Sequence, residues 1–239
     1  MFIEQFYQQS AEKISFTRAQ ASDFAKQVAD DFNPLHNEDA KRFCVPGDLL
    51  FSVILSRSGL NQEMQFKFSG MVTDGIELNF PTQINESAVI TDDKGKEYLQ
   101  VSASGDNSTN PVLIDSLIKA YVGFSGHTFP HILCELMKKN NVMINPARPM
   151  VMYESMALHI EQLDATDVSL ELSESTLTID GKRGNALLAF NLFSEGKIIG
   201  RGEKHMVLSG LREYCGATIE SISEQYMASK DAYRKEPVA

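Results

Sequence analysis

SDFAKQVADDFNPLHNEDAKRFCVPGDLLFSVIL, residues 22–55, carries three signals in succession. Phe24 and Val28 stand four apart, on one face of a helix. An acidic, proline-containing turn follows, Asp31-Phe32-Asn33-Pro34-Leu35-His36, and Pro46-Gly47 then opens an apolar run from Leu49 to Leu55. The residue before a proline is pushed out of the α region, so Asn33-Pro34 ends the helix and closes a tight loop. Asp31 and His36 fall at the two ends of that loop and can point into one volume. A carboxylate and an imidazole converging on a water molecule form an acid/base pair. Asp, Asn and Pro also favour turns for backbone reasons alone, which would make Asp31 and Asn33 turn formers and His36 a loop histidine.

Upstream, residues 13–17 read as a short strand, and Thr17 can cap a helix over 18–30. Downstream, the helix over 49–60 is apolar around more than half its circumference, so it is wrapped on most sides, with Gly59 as its terminator. Strands follow over 63–71, 75–80, 86–91 and 98–104, the first alternating strictly through Met64, Phe66 and Phe68. Residues 105–111, Gly-Asp-Asn-Ser-Thr-Asn-Pro, are the breaker-rich linker of the chain. The second half repeats the order. A helix over 112–121 and a break at 126–131 lead to a second central helix over 127–139. Strands follow over 150–162, 168–178, 185–193 and 197–208, with hairpin turns at 180–184 and 194–196. Residues 218–235 space Ile219, Ile222, Tyr226, Met227 and Tyr233 as an amphipathic helix that packs on its own half. One helical segment followed by antiparallel strands, twice, predicts a duplicated unit in one continuous sheet.

The six-residue core Asp31-x-Asn33-Pro34-x-His36 resembles the signature of the (R)-specific enoyl-CoA hydratases, the MaoC-like branch of the hot-dog superfamily. The resemblance covers roughly residues 15–60, and Gly47 and Ser52 occupy the places of a family glycine and serine on the central helix. It implies an α+β double hot-dog, two antiparallel sheets each wrapped around a central helix and forming one pseudo-dimer. The divisions would be 1–107, bearing the motif, and 108–239, bearing a degenerate copy and the C-terminal helix. It further implies that Asp31 and His36 activate a water for addition across a 2-enoyl thioester. Asn33, Gly47 and Ser52 would be substrate-binding, Gly47 through its backbone N–H and Ser52 by supporting the loop. The substrate would be carried on coenzyme A or an acyl carrier protein, in a monomeric pseudo-dimer or a homodimer, with no cofactor and no metal. This sequence departs from the family at Asp30, Pro46 and Arg42, and Asp48 sets a carboxylate at the helix start. Residues 125–131, Ser-Gly-His-Thr-Phe-Pro-His, resemble a decayed second motif, and a cavity is expected between the halves where that motif is lost.

A formal net charge of −10 excludes a general nucleic-acid binder and disfavours an acidic membrane surface. Lys41, Arg42 and Arg57 are then the candidate cationic patch for an anionic carrier. Cys44, Cys134 and Cys215, odd in number and widely spaced, fit neither a disulfide framework nor a zinc site. His127 and His131 stand four apart like metal ligands, but Pro130 between them counts against a helical metal site. No run approaches the ~20 apolar residues of a membrane span, and no signal-peptide pattern opens the chain, so the expected location is cytoplasmic. Two other functions compete with hydration: a thioesterase using the same water, and a hot-dog protein that binds an acyl thioester or a partner without turnover.

Overall fold

In the computed structural model, which describes residues 1–235, Thr17 opens the first helix as its sequence suggests. Its hydroxyl accepts from the Gln20 N–H while the Gln20 side chain reaches back, satisfying two otherwise free donors. The helix α1 (Arg18–Asp23) widens into a π turn (Phe24–Val28) that buries Phe24 completely. Two short strands, β1 (Gln8–Ser10) and β2 (Lys13–Ser15), precede it. The motif loop leads to α2 (Gly47–Ser58), then β3 (Leu60–Phe68), β4 (Leu78–Asn79), β5 (Ser87–Asp92) and β6 (Glu97–Ser108). The second half runs α3 (Pro111–Gly126), α4 (Leu133–Lys139), β7 (Val142–Met143), β8 (Val151–Ile160), β9 (Ser169–Asp180), β10 (Arg183–Ser194), β11 (Lys197–Ser209), β12 (Arg212–Glu213) and α5 (Gly216–Lys235).

Ten strands form one antiparallel sheet in the order β1-β2-β4-β5-β6-β3-β8-β11-β10-β9. The two halves meet where β3 pairs with β8, from Glu63 opposite His159 to Lys67 opposite Ser155. Outward from that seam the order β3-β6-β5-β4 mirrors β8-β11-β10-β9. The first half adds β2 and β1 beyond β4, and β9 ends the other side. This is a double hot-dog in the α+β class. The helices α2 and α3 pack on each other and on one face of the sheet. From α2 come Leu49, Leu50, Phe51, Val53, Ile54 and Leu55, and from α3 come Leu113, Ile114, Leu117, Ile118, Tyr121 and Val122, all nearly or fully buried. Each such aliphatic or aromatic side chain contributes about 1.5–3 kcal/mol by leaving water.

The structure departs from the sequence reading at the junction of the halves and at two places in the second half. The long buried helix of the second half is α3, running to Gly126, where a break and a helix over 127–139 were expected. Proline cannot donate to a helix interior and biases its predecessor to extended backbone, and Phe129 before Pro130 lies at φ −112°, ψ 135°. Only Leu133–Lys139 resumes as an α-helix. The breaker-rich 105–111 stretch is largely strand. Gly105 and Asp106 bulge opposite Gln62, with Gly105 at φ +78° and the Asp106 N–H donating to Gln62 Oε1 at 3.1 Å. Ser108 still pairs with Leu60, after which Asn110 caps α3 and Pro111 fills its first position. Lastly, α5 reaches beyond its own half. Ile219 joins the core built by α4 and β9–β11, while Tyr226 and Tyr233 lie against Phe32 in the motif loop.

Candidate functional site

The motif loop is built from its own backbone outward. Asn33 Oδ1 accepts from the Leu35 N–H at 3.1 Å and starts the 3-10 turn Pro34–His36. Asp31 Oδ1 accepts from the Asn33 N–H at 2.9 Å. These contacts bring the Asp31 and His36 side chains together, Oδ2 lying 3.8 Å from Nε2, with both partly buried. His36 Nδ1 lies 2.7 Å from the Cys44 carbonyl oxygen. A carbonyl only accepts, so Nδ1 carries the proton, and Nε2 is the ring nitrogen turned toward Asp31. At 3.8 Å the two groups are too far apart to bond directly, and a water between them could donate one hydrogen to each.

Asp30, where the resembled family has glycine, sits at φ +53°. A non-glycine residue there is strained, and this one is held by Lys230, by His127 Nε2 at 3.1 Å and by Arg234 at 3.1 Å. Burial works to raise the Asp30 carboxyl's pKa, but its hydrogen bonds and charges from Lys230, His127 and Arg234 win and hold it below the usual 3.8. The preceding residue is pinned as well. A Cβ on Gly126 would fall 1.7 Å from the Ala29 carbonyl oxygen, so the second half leaves room for the first only because position 126 has no side chain.

Beside the motif pair stands the N-terminus of α2. Gly47 is half-buried against the rings of Phe68 and Tyr153, themselves 4.3 Å apart between centroids. Asp48 does not lie across this helix end. Its Oδ2 accepts from the Ser125 hydroxyl, which accepts in turn from Lys204 Nζ, while Oδ1 is buried without a partner among the described residues. Lys204 is 5 % exposed and stands 4.3 Å over the Tyr153 ring, whose hydroxyl bonds that of Tyr121. Burial raises the Asp48 pKa against the pull of Lys204 and Ser125, and Asp31 adds a repelling charge. Burial likewise lowers Lys204, against the attraction of Asp48 and Asp31. The relay therefore lies within electrostatic reach of the motif pair.

Other anticipated contributors are placed differently. Ser52 is fully buried and donates to the Asp48 carbonyl at 2.7 Å, so it serves its own helix rather than the loop. Asn33 spends its side-chain oxygen on the turn. Lys41 and Arg42 are exposed after the motif, but Arg57 lies at the far end of α2, bonded to Gln9 at 3.1 Å. The interior expected to stay open between the halves is filled by rings: Phe51 is 5.0 Å from Tyr121, and Tyr121 is 5.7 Å from Phe190. A groove of about 480 Å³ lies over the seam strands instead, lined by Glu63, His159 and Arg201 among others, and does not include the motif pair. Lys204, Ser125, Tyr153 and Tyr226 are the residues that sequence reading missed. Lys204 left a signal, since it occupies the inward parity of β11 with Gly202 and Met206.

Residues 1–217 match the family described as "Protein of unknown function (DUF3581)". The chain belongs to this family. The helix α5 begins at Gly216, so Tyr226 of this DUF3581 protein lies beyond the matched stretch. A search of curated proteins finds no match. Among solved structures, the chain is similar to a conserved protein of unknown function with hot dog fold from Alicyclobacillus acidocaldarius, at 7% identity and TM-score 0.47, covering 87% of this chain and 98% of that one. It is also similar to an acyl-CoA thioesterase II, TesB2, from Mycobacterium marinum, at 11% identity and TM-score 0.42, with coverages of 90% and 99%. A MaoC-like dehydratase gives 10% identity and TM-score 0.43, with coverages of 84% and 97%. At these identities and scores the reaction has to be read from this chain's own side chains. Among the described residues, no helix is long and apolar enough to cross a membrane.

Proposed function

We propose that the protein acts on an acyl thioester, adding water to a 2-enoyl group or removing it from the 3-hydroxyacyl product. The observation that carries this reading is the placing of the His36 ring between the Cys44 carbonyl and Asp31. With Nδ1–H committed to the Cys44 carbonyl, Nε2 faces Asp31 Oδ2 as a base, beside a half-buried helix N-terminus. A water held between them would be deprotonated as its oxygen bonds to C3 of the substrate. The C2=C3 pair moves to form the enolate, and the proton returns from the pair to C2. The Gly47 N–H, at the first position of α2, would meet the enolate oxygen. Asp48 does not oppose that anion as its position in the sequence suggests, because its charge is drawn inward and offset by Ser125 and Lys204. Exposed Lys41 and Arg42 would face the anionic carrier, coenzyme A or an acyl carrier protein, and the ring-filled interior favours a short acyl group. We divide the two hot-dog units at the β6–α3 connection, residues 109–110.

The test is direct. Purified protein mixed with trans-2-enoyl-CoA of short, medium and long chain is expected to remove the conjugated thioester absorbance. Asp31→Asn keeps the size but removes the base, and should lower the rate by about 10²–10⁴-fold with an unchanged melting curve. Thiol release from a saturated acyl-CoA, with no hydration, would assign the same water to thioester hydrolysis. Binding of acyl-CoA with neither reaction would make the protein a carrier or sensor of thioesters.

A further inference from the structure

The helix α5 buries little apolar surface for its 20 residues: Ile219, Tyr226 and Lys230 are its buried residues. What it does instead is hold the motif loop along one face. Residues 226, 230, 233 and 234 follow the i, i+4, i+7, i+8 spacing of a helix stripe, and each touches the segment 26–33. The Tyr226 hydroxyl donates to Asp31 Oδ1 at 3.2 Å and accepts from the Phe32 N–H at 3.0 Å. Its ring is held edge-on between Phe32, at 6.2 Å, and Phe129, at 5.4 Å. Lys230 and Arg234 bind Asp30, and the Tyr233 hydroxyl accepts from Gln27 at 3.1 Å. The chain thus spends two cations, two phenols and a strained aspartate on seating one helix over two consecutive acidic residues.

The geometry points to Tyr226 as a positioning residue that fixes which oxygen of Asp31 faces His36. Two donors, the Tyr226 hydroxyl and the Asn33 N–H, converge on Oδ1. A carboxylate held by two donors on one oxygen cannot rotate freely, so Oδ2 stays toward His36 Nε2. The inference rests on the proposed role of the Asp31–His36 pair. It extends that role to a helix outside the matched family stretch, which completes the loop from the opposite end of the chain.

Tyr226→Phe keeps the ring and removes the bond. Ser229→Ala serves as control, because it removes an exposed hydroxyl from the same helix, one that bonds the Gln225 carbonyl and lies outside the stripe facing the loop. Two readouts are taken on the full chain: kcat and KM with a short enoyl-CoA, and the NMR resonance of the His36 ring Cε1–H at fixed pH. Tyr226→Phe is expected to lower kcat about tenfold, the loss of one hydrogen bond, with KM within twofold and the His36 resonance moved. In an Asp31→Asn background the same change should cost nothing further, since Tyr226 acts through Asp31. Ser229→Ala should move neither readout. A His36 resonance that stays put in folded Tyr226→Phe overturns the assignment, whatever the activity. A resonance that moves in a protein inert toward every thioester upholds the positioning and overturns the proposed reaction instead.

Discussion

Removing one end of the buried Asp48–Ser125–Lys204 relay should cost the protein much of its stability, and removing both ends should restore a large part of it. Lys204 is 5 % exposed, and its charge is balanced chiefly by Asp48 through Ser125, with Asp31 adding a weaker attraction. Asp48→Asn leaves that ammonium buried and unpaired, at a cost of about 3–5 kcal/mol, and Lys204→Met strands the carboxylate with a similar loss. The double variant carries no charge at either end of the relay. It should be more stable than the sum of the single losses predicts, by a coupling energy of about 2–3 kcal/mol. Urea denaturation with the slope compared across all four proteins measures this, because an unchanged slope confirms that only stability moved. The pH dependence has a defined sign. Burial raises the Asp48 pKa in the folded state, so this group's stabilising contribution is complete below its ordinary value of 3.8. It is lost as pH rises through the folded value. Asp48→Asn should abolish that decline. Single losses below about 1 kcal/mol that add within about 0.5 kcal/mol would show that the three groups do not form a unit.

Asp30 should behave oppositely. Its folded pKa is lowered, so its contribution is complete above 3.8 and is lost as pH falls through the folded value; Asp30→Asn should flatten acid denaturation over that range. Gly126→Ala should destabilise by about 1–3 kcal/mol or more in thermal melts, since its methyl meets the Ala29 carbonyl oxygen. Alkylation at mildly alkaline pH followed by peptide mass analysis should label Cys215 first. Hydrogen bonding with Thr218 lowers that exposed thiol's pKa, whereas burial pushes Cys44 up to about 11. If turnover is found, it should fall steadily from short to long acyl chains, and an enzyme that prefers long chains would contradict the filled interior.

Local patterns carried the sheet and failed at the long-range contacts. The alternation of Met64 and Phe66, or of Ala186, Leu188 and Phe190, reports a half-buried strand whatever lies beyond it, and both strands are present, β3 three residues earlier than the expected 63–71. The motif pair was legible for the same reason, because Asn33 and Pro34 bend the chain within six residues. Gly105 looked like a linker because a glycine at positive φ serves equally well in a bulge, and only its pairing across to Gln62 distinguishes the two. The break at Pro130 was visible, but not on which side of it the long helix lay. Tyr226 meets Asp31 across 195 residues, and no sequence spacing encodes such a contact. The sequence places the Asp48 carboxylate at the helix start, which is all that a local rule can say. Its actual direction depends on Lys204, whose place on the inward side of β11 was the one available clue.

The sheet is finished differently at its two ends. One end folds back through the β1–β2 hairpin, while among the described residues β9 hydrogen-bonds to β10 alone. A bare twelve-residue strand invites another chain to add to it. This one is poorly suited to that role: Glu171, Glu174 and Asp180 are exposed along it, and a register shift opposite Ala189 and Phe190 breaks its regular row of donors and acceptors. An incoming copy of β9 would bring like charge to like charge across an irregular ladder. Self-association through this flank, the route by which open sheets grow into fibres, is thereby opposed, and neutralising Glu171 and Glu174 would be the way to reopen it.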